Sequence, residues 1–407
     1  MNLFPLYIDP GTGSALFSIA IGLAAALYFF LRVLLLRFKT FFHGNKKTGM
    51  AKNTFVIYAE DKRYWMFFKP ILDEFERRQT ELLYLTSSTD DPVFSSGFKH
   101  IKGEYIGQGN KAFARLNFLT ANVVLSTTPD LGVLQWKRSK TVRHYSHIIH
   151  AAGGASLYRI FALDYYDSIL LSGESETEEI RFIEELRKLP EKQLVIAGNP
   201  YLDMYRKKAR STPAEGHHPF TVLVSPSWGA SSLLRLYGEK LLDPLVKTGW
   251  RIILRPHPQS RTAERTTLER LAERYKNTAN LEWDDNNENI YSLAKSDVMI
   301  SDFSGIIYDY VFLFDKPVLW TTKSMDMRPN EAYNLEREPC YLQMLKKIGM
   351  ELDVSNFDSI GKCISGLAGN AGLQEGRRET REMMWHFRGE SGKRIADFMF
   401  TTAKEAG

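Results

Sequence analysis

The sequence predicts an α/β protein in which two doubly wound domains face a cleft, preceded by one N-terminal transmembrane helix. An apolar run near the N-terminus is long enough to cross a bilayer. Short β-branched or aromatic segments then alternate with helical patterns, and one polar segment divides that alternation into two halves. A length of 407 residues suits two domains of ordinary size.

The apolar run, from Ala15 to Leu36, is interrupted only by Ser18 and Arg32. A helix of about 20 apolar residues spans the hydrocarbon core of a bilayer. The bases that lie in or just after the run, with none before it, are Arg32, Arg37, Lys39, Lys46, Lys47 and Lys52. By the positive-inside rule, this asymmetry predicts a single-pass protein of the cell membrane whose body is cytoplasmic. A signal peptide would carry its bases before the run.

The rest of the chain is balanced in charge, because 47 basic and 47 acidic residues follow position 52. Nucleic-acid binding requires clustered Lys and Arg, so no nucleic-acid partner is expected. The two cysteines, Cys340 and Cys363, lack CxxC spacing and are too few for a disulfide framework or a cysteine zinc site. This cysteine usage favours a reducing compartment.

The alternation of apolar segments and helical patterns is typical of parallel sheets with helices on both faces. Candidate strands are 54–60, 82–88, 122–127, 141–150, 167–173 and 192–199, and then 221–228, 250–258, 280–285, 297–303 and 316–322. The predicted organisation is a short N-terminus outside the membrane (1–14), a transmembrane helix (15–38), a basic linker (39–53), a Rossmann-like domain (54–205), an interdomain linker (206–219), a second Rossmann-like domain (220–374) and a C-terminal helix that can cross back over the first domain (375–407). Ligands of such sheets bind at the carboxyl ends of strands.

The segment ISDFSGIIYDY, residues 300–310, follows a predicted buried strand and opens a helix. Backbone N–H groups at a helix start bind phosphate or pyrophosphate. Ser301, Asp302, Ser304 and Gly305 are therefore candidate ligand-binding residues, since the missing Cβ of a glycine lets an anion approach the backbone. The alternative is that Asp302 or Ser304 only caps the helix.

The segment RPHP, residues 255–258, follows an apolar strand, and its prolines end that strand and stiffen the loop. His257 is thereby placed at a strand end, where an imidazole can donate to a phosphate oxygen or transfer a proton. Arg255 beside it is a candidate substrate-binding residue. The alternative is a solvated loop histidine.

The segment HYSHIIHAAGG, which begins at His144, places His147 and His150 near another strand end. His150 comes just before the Gly153-Gly154 pair, which permits an unusual backbone, and is the candidate general base. A zinc site is not favoured, because no third ligand is suggested nearby. Ser225 and Ser227, in SPSWG, and Asp309 are further candidates for ligand contacts, with a capped turn as the alternative for the serines.

The ordered set HIIHAAGG, AGNPYLD, SPSW, RPHP and ISDFSGxxxDYxxxxxKP, spanning about 144–317, resembles the CDP-glycerol glycerophosphotransferase family, the teichoic-acid-type primases and polymerases. The tail from Glu390 also resembles that family's C-terminal stretch. The resemblance implies a GT-B fold whose second domain binds the nucleotide and whose first domain binds the acceptor. It implies transfer of an alcohol phosphate from a CDP-activated donor, with release of CMP.

By position, the resemblance implies that His257 contacts the donor phosphates and that Ser301, Asp302 and Ser304 form the nucleotide-phosphate loop. It implies that His150 is the catalytic base. The sequence departs from the family pattern at Gly305, where a second serine is common, and after His150, where Gly-Thr-Pro is common. His147 is the second candidate for the base.

The expected function is therefore membrane-anchored glycerophosphotransfer to a lipid-linked saccharide acceptor of the cell envelope. The expected partners are a CDP-activated polyol, that acceptor and the membrane. No cofactor is predicted, and the sequence leaves a metal requirement, the alcohol and the oligomeric state open. Two alternatives remain, namely a GT-B glycosyltransferase or epimerase that uses a UDP-sugar, and a non-catalytic nucleotide-binding relative.

Overall fold

Two parallel sheets, whose central strands are buried on both faces, form the body of the protein. The computed structural model describes residue 19 and residues 21–32, 53–150, 154–211, 218–286, 288–321, 325–367 and 369–405. Residues from Asn53 onward form one compact unit, and Met1–Lys52 form another.

The first sheet has seven strands in the order β3-β2-β1-β4-β5-β6-β7, all parallel. The strands are β1 (Asn53–Ala59), β2 (Leu82–Thr86), β3 (Ile101–Tyr105), β4 (Ala121–Ser126), β5 (Val142–Ile148), β6 (Ser168–Leu171) and β7 (Gln193–Ile196). The second sheet has the order β10-β9-β8-β11-β12-β13, also parallel. Its strands are β8 (Thr221–Val224), β9 (Arg251–Leu254), β10 (Leu281–Trp283), β11 (Val298–Ser301), β12 (Val318–Trp320) and β13 (Gly349–Glu351).

Helices cover both faces of the sheets and pack on them through their apolar sides. Helix α1 (residues 21–32) belongs to the N-terminal unit. The helices that follow Asn53 are α2 (Trp65–Arg77), α3 (Asn110–Leu116), α4 (Thr177–Arg187), α5 (Pro200–Ser211), α6 (Leu233–Val246), α7 (Ser260–Ala263), α8 (Arg265–Tyr275), α9 (Ile290–Lys295), α10 (Ile306–Phe314), α11 (Cys340–Ile348), α12 (Ile360–Leu367), α13 (Ala371–Met384) and α14 (Ser391–Glu405).

The predicted α/β class with two doubly wound sheets is confirmed, and a strand lies within or beside every predicted strand segment. The prediction missed β3 and β13, which are edge strands. An edge strand need not be apolar on both faces, and β3 is largely exposed or half-buried. The predicted linker 206–219 differs from the structure, because α5 continues to Ser211. Residues 212–217 lie outside the described residues.

The predicted transmembrane helix, 15–38, is described only at residue 19 and at residues 21–32, and its remaining residues lie outside the described part of the chain. Within the residues that the structure describes, no helix combines the length and the apolar character needed to cross a bilayer. The described residues of this segment are exposed, and they include Leu23, Phe29 and Phe30.

The C-terminal helix α14 crosses back onto the first sheet and packs against α2. The ring of Phe400 stacks on that of Phe75, with centroids 5.0 Å apart. The buried carboxylate of Asp203 in α5 accepts hydrogen bonds from the backbone N–H groups of Gly389 at 2.7 Å and Ser391 at 3.2 Å. These contacts fix the start of α14 beside α5.

Gly392 marks the closest approach of α14 to α2, because a Cβ added there would lie 2.5 Å from the carbonyl oxygen of Pro70. We expect Gly392→Ala to lower the free energy of unfolding by about 1–3 kcal/mol, since the two helices must move apart. Gly366→Ala in α12 is the matched control, because its Cβ meets no atom within 4 Å. That control is expected to stabilise the chain by about 0.5–1 kcal/mol. Urea denaturation measures both, and equal effects of the two substitutions would contradict the close packing.

Candidate active site

A pocket of about 330 Å³ lies where β8, β9 and β11 end at the carboxyl edge of the second sheet. We call it the strand-end pocket. It brings together five of the predicted residues, namely Ser225, Arg255, His257, Ser304 and Gly305. Two residues that sequence analysis did not single out, Tyr205 and Asn289, complete its wall.

His257 presents one ring nitrogen to this pocket in a defined protonation state. Its Nδ1 accepts a hydrogen bond from the backbone N–H of Gln259 at 3.1 Å, so the neutral ring carries its proton on Nε2. The half-exposed indole of Trp228 stacks beside the imidazole, with ring centroids 6.1 Å apart. Burial, and then the positive charge of Arg63, lower the pKa of His257. At neutral pH the ring is therefore a neutral N–H donor.

Asp302 lies beneath the strand-end pocket, where its side chain is fully buried. Its carboxylate accepts hydrogen bonds from the backbone N–H groups of Ser227 at 2.8 Å and Leu233 at 2.9 Å. Burial raises the pKa of Asp302, whereas these hydrogen bonds lower it. The aspartate thus caps α6 and fixes the loop after β8.

Ser301 has a similar role, because its Oγ donates to the carbonyl oxygen of Ser225 at 2.7 Å. Arg255 is also tied to the protein. Its guanidinium donates to Asp284 at 2.6 Å and to the carbonyl oxygen of Asn286 at 2.9 Å. Ser301, Asp302 and Arg255 therefore shape the pocket through protein contacts.

The start of α10 faces the pocket with its donors available. Among the described residues, no acceptor pairs with the backbone N–H groups of Ser304, Gly305 or Ile306. A Cβ at Gly305 would meet no atom within 4 Å, so the space above this backbone is open. In the described chain, the buried Oδ1 of Asn289 also lacks a partner. These groups together form a lining that suits a phosphate group and a hydroxyl.

His150 belongs to the first sheet and lies just past the end of β5. The hydroxyl of Tyr158 lies 3.0 Å from Nδ1 of His150 and 3.3 Å from Nε2 of His147. Because the strand ends at Ile148, these two histidines reach the same tyrosine rather than opposite faces of the sheet. His147 is completely buried, whereas His150 is only half-buried, so His150 is the residue that can meet a substrate.

Aromatic rings connect His150 to the second sheet. The ring of Phe67 lies 6.4 Å from the imidazole and stacks on Tyr201 at 5.1 Å. The Tyr201 ring lies 4.3 Å from that of Tyr205, which lines the strand-end pocket. The Tyr201 hydroxyl donates to Asp309 at 3.1 Å, and burial raises the pKa of Asp309 to about 7. The structure therefore places Asp309 beside the pocket.

The charge of Arg63 affects both candidate histidines. Burial, with a smaller contribution from the Arg63 guanidinium, lowers the pKa of His150 to about 4. The same guanidinium also lowers the pKa of His257. Its side chain is 61% exposed and its ion pair with Asp61 is long, at 3.5 Å. Sequence analysis did not single out Arg63, Tyr158, Tyr201, Tyr205 or Asn289. Of these, Tyr201 lies within the AGNPYLD segment, and its contacts with Phe67 and Asp309 join residues that are distant in the sequence.

The loop after His150 rests on a buried acid. Oε2 of Glu176 accepts a hydrogen bond from the backbone N–H of Ala155 at 3.0 Å. Gly154 packs on the same side chain with a φ of 101°, a left-handed conformation that favours glycine. Burial raises the pKa of Glu176 to about 8.

The comparisons with known proteins give a family and a fold. Residues 159–399 match the model of a family described as CDP-Glycerol:Poly(glycerophosphate) glycerophosphotransferase. No curated protein matches the chain. The structure of the wall teichoic acid polymerase TagF is similar, with a TM-score of 0.53 and 15% identity over 92% of this chain and 96% of that chain.

Other solved structures share the architecture. A TagF variant soaked with CDPG has a TM-score of 0.52 and 14% identity over 92% of this chain and 98% of that chain. A putative UDP-N-acetylglucosamine 2-epimerase from Listeria monocytogenes has a TM-score of 0.56 and 12% identity over 87% and 98%. At these identities the likeness shows the fold alone, and that fold is GT-B-like, as expected.

We predict that Glu176→Gln changes how stability depends on pH. The pKa of Glu176 is about 8 in the folded chain and 4.5 in its ordinary state, so the folded state binds the extra proton between these values. Wild-type stability should therefore fall with rising pH across this window by about 1.4 kcal/mol per unit, relative to the variant. Melting temperatures at pH 5 to 9 test this.

The matched control for that experiment is Glu178→Gln, which removes an exposed carboxylate from α4, the helix that Glu176 directly precedes. The melting temperature of this control should depend on pH as that of the wild type does. If the melting temperature of Glu176→Gln also follows the wild-type dependence on pH, then Glu176 is ionised in the folded protein and the prediction is wrong.

Proposed function

The chain belongs to the CDP-glycerol:poly(glycerophosphate) glycerophosphotransferase family, and from this premise we propose its reaction. It transfers glycerol phosphate, or a similar alcohol phosphate, from a CDP-activated donor to a hydroxyl of a lipid-linked cell-envelope acceptor and releases CMP. The observation that carries the proposal is the open start of α10 opposite the Nε2–H of His257. Both groups donate hydrogen bonds, as a pyrophosphate requires.

The donor pyrophosphate would lie against the backbone N–H groups of Ser304, Gly305 and Ile306. His257 would donate from Nε2 to an oxygen of the leaving phosphate, on which negative charge accumulates. Arg63 would approach the same charge from the first sheet. Transfer of this type depends mainly on alignment and charge stabilisation, which these fixed donors supply.

His150 would act as the base on the acceptor. The acceptor oxygen attacks the phosphorus that carries the alcohol, a new P–O bond forms, and the bond from that phosphorus to the bridging oxygen breaks. CMP leaves with the bridging oxygen, and the acceptor proton passes to Nε2 of His150. For this, Nδ1–H of His150 donates to the Tyr158 hydroxyl, which in turn donates to Nε2 of His147.

The low pKa of His150, about 4, leaves its ring unprotonated at neutral pH and ready to accept a proton. The negative charge of a bound pyrophosphate raises the pKa of a neighbouring imidazole, so the base becomes stronger when the donor is present. Under this proposal, donor binding would promote proton acceptance by His150.

We also propose that the chain is anchored in the cell membrane with its body in the cytoplasm. The apolar run 15–36, the six bases in or just after it and the exposed apolar side chains of α1 support this. An anchored enzyme meets a lipid-linked acceptor at raised local concentration. Membrane anchoring is tested by carbonate extraction of membranes from cells that express the full chain.

A melting screen of the full chain against nucleotides tests the donor class. CDP and CDP-glycerol should raise the melting temperature, because a ligand at 100 times its Kd stabilises the folded state by about 2.7 kcal/mol. UDP and GDP should shift it less. A shift by UDP ligands alone would instead support a UDP-sugar enzyme, and a shift by CDP-glycerol without CMP release would indicate a non-catalytic nucleotide-binding protein.

His257→Ala is predicted to lower CMP release from CDP-glycerol by about 10²–10³-fold, because it removes a donor to the developing charge. His218→Ala is the matched control, since His218 precedes β8 at the opposite end of the second sheet and contacts its neighbour Pro219. The control should retain full activity. An unchanged rate in His257→Ala would remove His257 from the mechanism.

A further inference from the structure

A second pocket, of about 380 Å³, lies outside the proposed reaction and is surrounded by four guanidinium groups. We call it the arginine pocket. Its bases are Arg206 and Arg210 from α5, Arg381 from α13, and Arg388 from the turn before α14. It shares no lining residue with the strand-end pocket.

The positive charge of this pocket is poorly compensated. None of its lining residues is acidic. Within the described residues, Arg206, Arg210 and Arg381 form no ion pair, and only Arg388 does, with Glu382 at 2.8 Å. The buried Nε of Arg381 also lacks a hydrogen-bond partner there. Burial, and then the neighbouring arginines, lower the pKa of Arg206.

The arginines are arranged on an apolar support that keeps them together despite their repulsion. The guanidinium of Arg206 lies 6.0 Å from the ring centroid of the buried Trp385, and that of Arg388 lies 5.4 Å from it. Arg388 also donates to the backbone carbonyl oxygens of Trp385 and Arg381. These contacts orient the guanidinium groups of Arg206 and Arg388 before any ligand arrives.

We propose that the arginine pocket binds a phosphate-bearing anion, such as a phosphodiester or a pyrophosphate. Guanidinium groups pair with phosphate oxygens through two parallel hydrogen bonds, and several such groups around one cavity suit an anion of more than one charge. The binding of that anion removes the mutual repulsion of the arginines. Its source is either the headgroup of an anionic phospholipid or a soluble phosphate compound.

The first test titrates inorganic pyrophosphate into the full-length chain and into Arg206→Gln/Arg210→Gln. Affinity should fall about tenfold or more, since charged hydrogen bonds are lost. Arg378→Gln is the matched control, because Arg378 is an exposed arginine of α13 that pairs with Glu375 outside the pocket. Arg210→Gln alone is a milder variant that keeps the contact of Arg206 with Trp385, and it too should weaken binding.

Pyrophosphate binding that survives in His257→Ala but is lost in Arg206→Gln/Arg210→Gln assigns the ligand to the arginine pocket. Equal affinities in wild type, the double variant and Arg378→Gln would overturn the proposal, whatever the outcome for CDP-glycerol. Sedimentation with vesicles of phosphatidylglycerol or of phosphatidylcholine distinguishes the sources. If more protein sediments with phosphatidylglycerol than with phosphatidylcholine, and the double variant loses this difference, the ligand is a lipid headgroup. If pyrophosphate binds but the two kinds of vesicle bind the protein equally, the ligand is a soluble phosphate.

Discussion

The buried carboxylate of Asp302 is the interaction on which the strand-end pocket depends. It lies at the end of β11 and accepts backbone N–H groups from Ser227 in the loop after β8 and from Leu233 at the start of α6. These donors offset the cost of burying a charge. Because the Asp302 carboxylate accepts from that loop and that helix, it does not pair with the first N–H groups of α10, which have no acceptor among the described residues. Asp302 thus shapes the strand-end pocket without occupying the backbone N–H groups at the start of α10.

The two sheets are connected where helix α5 meets both of them. Asp203 joins α5 to the start of α14, which packs on the first sheet, while Tyr201 on the same helix donates to Asp309 of α10. Phe67 stacks on Tyr201 from α2 and also approaches His150. The position of His150 relative to the strand-end pocket therefore depends on packing across the sheets, and the Tyr158 hydroxyl lies within hydrogen-bond distance of its Nδ1.

Local patterns in the sequence predicted the strands, because a buried parallel strand must be apolar on both faces. They missed β3 and β13, where edge positions relax that requirement. Motif analysis placed His257, Ser304 and Gly305 at strand ends, and the structure brings them into one pocket. It did not foresee that Arg255 pairs with Asp284, nor that Tyr205 and Asn289 line the pocket. Those relations join residues that are distant in the sequence.

Helix α10 relates the two pockets physically. Its first residue lines the strand-end pocket and Phe312 to Phe314, at its other end, line the arginine pocket, so the pockets lie at opposite ends of a helix about 13 Å long at 1.5 Å per residue. The helix dipole favours an anion at the first end and cations at the second. The same dipole therefore supports phosphate binding at one pocket and lowers the cost of gathering arginines at the other. The C-terminal end of the helix dipole repels an anion, but the arginines would attract a bound anion more strongly than that end repels it. Four full positive charges exceed the half charge of a helix end.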